Sequence, residues 1–135
     1  MIATVLIGCS SIDQTPVVTI ENTNLGKMIL VSSGQTSPAT LVKIDGCEFD
    51  LVKNNKDTTY LATTDKKFKT PEGYNVGTKL SDLPKNTQHY LTKEPGWGFY
   101  YKLPSGWALG FCEGNSCTDN FPKVDSKVKW IFKRK

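Results

Sequence analysis

Residues 97–112 read WGFYYKLPSGWALGFC, and this stretch decides the fold. Aromatic and aliphatic residues recur at every second position on both sides of Leu103-Pro104-Ser105-Gly106. Period-two alternation marks half-buried strands, and Pro followed two residues later by Gly suits a tight turn, so the segment predicts an antiparallel hairpin. One face of it carries Trp97, Phe99, Tyr101 and Leu103, met by Trp107, Leu109 and Phe111 on the return strand. Those seven, with Val128, Trp130 and Phe132 near the C-terminus and Cys47, Phe49 and Leu51 upstream, form the expected core.

Working outward, the same alternation recurs in PVVTIE (16–21), KMILVS (27–32), TLVKI (40–44), CEFDLVK (47–53), TTYLATT (58–64), QHYLT (88–92) and SKVKWIFK (126–133). These runs are rich in the β-branched and aromatic residues that pack well on a pleated surface. Asp45-Gly46 is the signal of a two-residue type I′ turn, and Asn54 to Asp57 suits a longer one. Helical periodicity is scarce. A single short helix is expected at KLSDL (79–83), with Thr78 as N-cap and Pro84 as its stop. The expected class is therefore mainly β, with antiparallel sheets in a small sandwich or barrel built from hairpins, plus that helix.

The chain has 135 residues, a length suited to one domain with a core of its own. With 38% hydrophobic and 22% charged residues it has the composition of a globular protein, and no apolar run nears the roughly 20 residues of a membrane-spanning helix. A net charge of +4 gathers at Lys66, Lys67 and Lys69 and in KVKWIFKRK (127–135). Such basic groups suit a solvated face or an approach to anionic lipid or cell-wall polymer.

The opening MIATVLIGCSS bears on compartment. An apolar run followed by Leu6-Ile7-Gly8-Cys9 resembles the lipobox of bacterial lipoproteins, in which small residues precede a cysteine that becomes acylated. That reading divides the chain into residues 1–9, a signal-peptide remnant with lipobox; residues 10–16, a tether; and residues 17–135, a single β-rich domain. It makes Cys9 a lipidation site and the protein a resident of the bacterial outer membrane or cell surface, held to the membrane by its lipid. No basic residue precedes the apolar run, so a strand over residues 3–7 with Cys9 buried remains the competing reading. Cys112 and Cys117 flank the four-residue turn EGNS and are expected to form a disulfide in an oxidising compartment. The pairing of Cys47 stays open.

The stretches KFKTPEGYNVGTKLSDL (67–83) and GWGFYYKLPSGWALGF (96–111) resemble modules of small uncharacterised bacterial envelope lipoproteins. They are also loosely similar to the helix-then-hairpin units of SmpA-type assembly lipoproteins and of beta-lactamase-inhibitor-like domains. The resemblance spans about residues 66–112 and implies an envelope role without defining functional residues.

Catalytic chemistry finds little footing. His89 is the only histidine, there is no G-x-S-x-G elbow, and Ser105 belongs to a turn, so no catalytic triad is expected. Asp65, Glu72, Asp82 and Glu94 read as loop acids that cap turns rather than as a paired acid and base. Cys47, Cys112, Cys117 and His89 are not spaced as two close ligand pairs, so no metal or other cofactor is expected. Binding has more support. Tyr60, Tyr74 and Tyr100 fall on the face opposite the core or in a glycine-flanked loop, where rings can stack on a sugar or anchor a protein. The expectation is a non-enzymatic binding or envelope-structural lipoprotein, with a protein or cell-wall polysaccharide as partner and no nucleic acid. The alternative is a secreted inhibitor or adhesin that meets a foreign protein through the aromatic hairpin, and an unrecognised hydrolase is more remote.

Overall fold

In the computed structural model the backbone is described for residues 18–20 and the whole chain for residues 27–135. The lipobox at Cys9 and the tether at 10–16 lie outside the described residues. Nine strands follow in order: β1 (Val18–Ile20), β2 (Lys27–Ser32), β3 (Gln35–Ile44), β4 (Cys47–Asn54), β5 (Asp57–Thr63), β6 (Thr92–Glu94), β7 (Gly98–Lys102), β8 (Ala108–Phe111) and β9 (Trp130–Arg134). They form one antiparallel sheet in the order β1-β3-β4-β5-β9-β8-β7-β6, with β2 pairing to β3 off this path. The sheet curls into a half-barrel.

The turn chemistry read from the sequence operates as expected. Asp45 (φ 52°) and Gly46 (φ 86°) both take the positive φ of a type I′ turn between β3 and β4. Pro104-Ser105 is closed by Gly106 N–H donating to the Leu103 carbonyl at 2.9 Å, which joins β7 directly to β8. The Asn54–Asp57 turn is tighter than expected, because Asn54 pairs with Asp57 and Asn55 supplies the left-handed residue (φ 59°).

Three expectations are corrected. The helix at 79–83 is a single 3-10 turn, Leu80–Asp82, with Lys79 rather than Thr78 at its cap position. The Thr78 hydroxyl donates instead to Asn75 Oδ1 (2.9 Å), and the Leu80 and Ser81 N–H groups donate to the carbonyls of Ser126 and Val124, so tertiary partners take the bonds a helix needs. QHYLT holds a 3-10 turn, Thr87–Tyr90, and only then a strand, which leaves His89 exposed in the turn rather than mid-strand. Finally, β3 starts five residues earlier than its apolar run, at Gln35, because pairing with β2 extends it through polar residues and Pro38.

The expected core residues are buried or half-buried, but they do not share a face. One cluster joins Val42, Phe49, Phe99, Leu103, Trp107, Leu109, Phe111, Val128 and Ile131, and is roofed by Phe68, Leu80 and Leu83 from the long β5–β6 connection. Trp97, Trp130 and Phe132 belong instead to a second cluster with Val52, Tyr60, Ala62, Ala108 and half-buried Tyr100. Ile131 faces the first cluster and its neighbours face the second, so β9 is buried on both sides. KVKWIFKRK therefore ends in a strand hydrogen-bonded between β5 and β8.

Small residues make room for the second cluster. Trp130 lies over Gly110 of β8, where a Cβ would fall inside the indole, and a Cβ at Gly98 of β7 would come 2.6 Å from Trp130 Cη2. The ring thus packs directly on backbone.

Candidate functional site

The second cluster is covered on its outer side by the β2–β3 hairpin, which swings across the open side of the curled sheet. Ile29 and Val31 pack inward on the cluster. The Leu30 carbonyl accepts a hydrogen bond from Trp97 Nε1–H at 3.2 Å. At the hairpin tip, Ser33 Oγ donates to the Pro95 carbonyl (2.5 Å) and Ser33 N–H donates to Glu94 Oε1 (3.3 Å), sixty-one residues away in sequence.

Glu94 is fixed from the other side by Arg134, whose Nη2 and Nη1 donate to Oε2 and Oε1 at 2.9 and 3.4 Å. The guanidinium also sits over the rings of Trp97 (5.0 Å), Phe132 (5.2 Å) and Tyr100 (5.5 Å). Burial by itself raises the Glu94 carboxyl, but the Arg134 hydrogen bond and charge, followed by the Ser33 N–H, outweigh it and hold the group below the usual carboxylate range. The Tyr100 phenol is pushed up by burial first and by the Glu94 carboxylate second. The Tyr60 phenol is pushed up strongly, mainly by burial.

The sign of the resulting pH dependence follows from this arrangement. A carboxylate whose folded pKa is depressed contributes stability above its unfolded pKa and loses it as pH falls through the folded value. Comparing wild type with Glu94→Gln, the difference in melting temperature should be constant above about pH 6 and shrink below about pH 4, where the wild-type carboxylate protonates. A difference that stays constant down to pH 2 would show that the Glu94 charge does not hold the hairpin.

Between this hairpin and the sheet lies an apolar cleft of about 490 Å³. Ile29 and Leu30 form its outer wall, Tyr60 and Ala62 of β5 its floor, and Trp97 and Trp130 one side. The bonded pair Cys112–Cys117 closes one end, as the expected disulfide. The bridge closes a loop in which Gly114 (φ 84°) and Cys117 itself (φ 68°) take positive φ, and Asp119 accepts from the Ser116 hydroxyl and N–H. Asp50 and Lys129 contribute charge at the rim.

Of the three expected binding tyrosines, Tyr60 and Tyr100 come together around Phe132 in the second cluster, and Tyr74 does not join them. Tyr60 is only 4% exposed and stacks on Phe132, with ring centres 5.8 Å apart. Tyr100 is half-buried, edge-on to Trp97 and Phe132 and roofed by Arg134, rather than lying flat on the surface. Tyr74 packs against the other cluster, on the opposite side of the sheet. Three of the four loop acids, Asp65, Glu72 and Glu94, have structural partners. Asp65 accepts from the Glu48 and Lys67 N–H groups, and Glu72 accepts from Ser105 Oγ and N–H, both at 2.9 Å. Cys47 is buried in the first cluster and is not a free thiol.

Ile29, Leu30 and Lys129 were not singled out from sequence as site residues. The signal was present in KMILVS, where four consecutive apolar residues break the alternation of a six-residue strand. Met28 and Leu30 are 58% and 47% exposed, while Ile29 and Val31 point inward. Leu30 lines the cleft and is also half-exposed, which puts it at the open edge of the cleft.

No protein-family model matches this chain, and no curated protein matches it either. Among solved structures, its fold is similar to the crystal structure of the uncharacterized protein yfeY from Escherichia coli, with a TM-score of 0.52 over 89% of this chain and 81% of that one, at 15% sequence identity. At that identity the likeness is one of fold alone.

Proposed function

We propose that this chain is an exported bacterial envelope lipoprotein, anchored through Cys9, whose β domain acts as a non-enzymatic binding module with the β2–β3 cleft as its site. The cleft carries the reading: beside a disulfide, an apolar space of about 490 Å³ stays unfilled between the aliphatic edge strand and the rings of Trp97 and Trp130. Sites of this size that are mostly apolar with a few polar groups are typical of small-molecule recognition. The disulfide supports an oxidising compartment, where such bridges persist. Glu72, Glu94 and Asp65 each have a structural partner, which supports binding over hydrolysis. The alternative of an inhibitor or adhesin relied on an exposed ring of the 97–112 hairpin, and the ring on its outward face, Tyr100, is half-buried against Trp97 and Phe132.

Export and anchoring are tested together by metabolic labelling in a bacterial host with an alkyne-tagged fatty acid. Wild type should label and Cys9→Ser should not. Because Cys47 is not a free thiol, non-reducing peptide mapping belongs in the same experiment. A Cys9–Cys47 cross-linked peptide in the mature protein would leave no thiol to acylate and would remove the anchor.

A further inference from the structure

We infer that the β2–β3 cleft takes the hydrocarbon chain of a free long-chain fatty acid, with its carboxylate at Lys129. This rests on the cleft-binding reading above, and not on the anchor.

The lining discriminates among ligand classes. A sugar needs a flat exposed ring face and a dense set of hydrogen-bonding groups. Here Trp97 meets Trp130 and Phe132 edge to face, at interplanar angles of 80° and 86°, so the rings are already used in packing. The polar groups are largely occupied as well. Asp50 is paired with Lys27 at 3.4 Å, and the Thr63 hydroxyl donates to the Glu48 carbonyl at 2.6 Å. What remains is an aliphatic and aromatic surface from Ile29, Leu30, Ala62 and Trp130, suited to methylene groups that gain about 0.8 kcal/mol each on leaving water.

Charge selects the head group. Lys129 is exposed at the rim and makes no ion pair with any described residue. Its backbone N–H is bonded to the Gly110 carbonyl at 2.8 Å, which fixes the residue at the cleft mouth while the ammonium stays available. An anion on a single chain satisfies both features. A volume of about 490 Å³ has room for one chain and not for the two of a phospholipid.

The test uses the full chain and its intrinsic tryptophan fluorescence, since Trp97 and Trp130 line the cleft. Hexadecanoate, kept below its micelle concentration, should shift the emission in a saturable way at one equivalent. Lys129→Glu should weaken binding about five- to tenfold, as expected for reversing one exposed charge contact. Leu30→Asp places a charge in the apolar wall at a residue that is 47% exposed, so it should fold normally by near-UV circular dichroism yet lose binding. Hexadecanol should bind more weakly than hexadecanoate, and maltotetraose should not bind. Absence of a saturable response to hexadecanoate overturns the inference, and so does equal affinity for hexadecanol with no effect of Lys129→Glu. Failure of acyl labelling at Cys9 alongside a normal binding curve would remove the anchor and leave the cleft assignment standing. A saturable response to maltotetraose alone would keep a binding cleft and overturn the fatty acid.

Discussion

Trp107→Ala should lower the unfolding free energy by about 3–5 kcal/mol, the range for truncating a buried aromatic side chain. The ring is 2% exposed and stands where three elements meet: Phe49 of β4 at 6.0 Å, Phe68 of the β5–β6 connection at 4.8 Å, and Lys133 of β9 with its ammonium 4.8 Å from the ring centre. Removing it leaves a cavity that rigid strands on two sides cannot fill. Domains have roughly 5–15 kcal/mol in total, so the variant should be near the edge of folding. Urea denaturation followed by far-UV circular dichroism measures this directly, and a midpoint within error of wild type would mean that Trp107 is not a core residue.

Phe132→Ala should cost a similar amount, about 3–5 kcal/mol, and would separate the two-faced core from a conventional one-faced sheet. Phe132 is 2% exposed and contacts Tyr60, Trp97, Tyr100 and Trp130, with Arg134 over its ring. Aromatic pairs of this kind add about 0.5–1.5 kcal/mol each beyond the area they bury. The hairpin clasp also depends on this ring as part of the bed on which Arg134 lies, so the variant should lose the acid sensitivity attributed to Glu94 along with its stability. If Phe132→Ala melted like wild type while Trp107→Ala unfolded, only one face of the sheet would be structural. Tyr100→Ala should fall between the two extremes, because its ring is half-buried and touches Trp97 and Phe132 on one side only.

What the sequence determined by itself is local. Alternation located the strands β4, β5, β7 and β8 to within a residue or so, because period-two burial is written in consecutive side chains, and a short apolar run located β2. Asp45-Gly46 and Pro104-Ser105-Gly106 specified their turns because few residues accept those backbone angles. Cys112 and Cys117 were close enough in the chain to make their disulfide legible. The 3-10 turn at Leu80–Asp82 was not legible as such, since the carbonyls that draw its N–H groups away belong to residues 124 and 126, more than forty positions on.

What only the tertiary structure decided is which face each strand presents to what. Trp97, Trp130 and Phe132 look like further members of one apolar face when strands are read singly. Curling of the sheet gives it a second buried side, and the β2–β3 hairpin covers that side through contacts made across sixty residues of sequence. Burial of Tyr60 and Tyr100 and the opening of a cleft beside Trp130 follow from that closure. Alternation fixes that neighbouring side chains point opposite ways, but whether the outward side meets water or another layer depends on sheet curvature and on long-range hydrogen bonds, which no short window of residues contains.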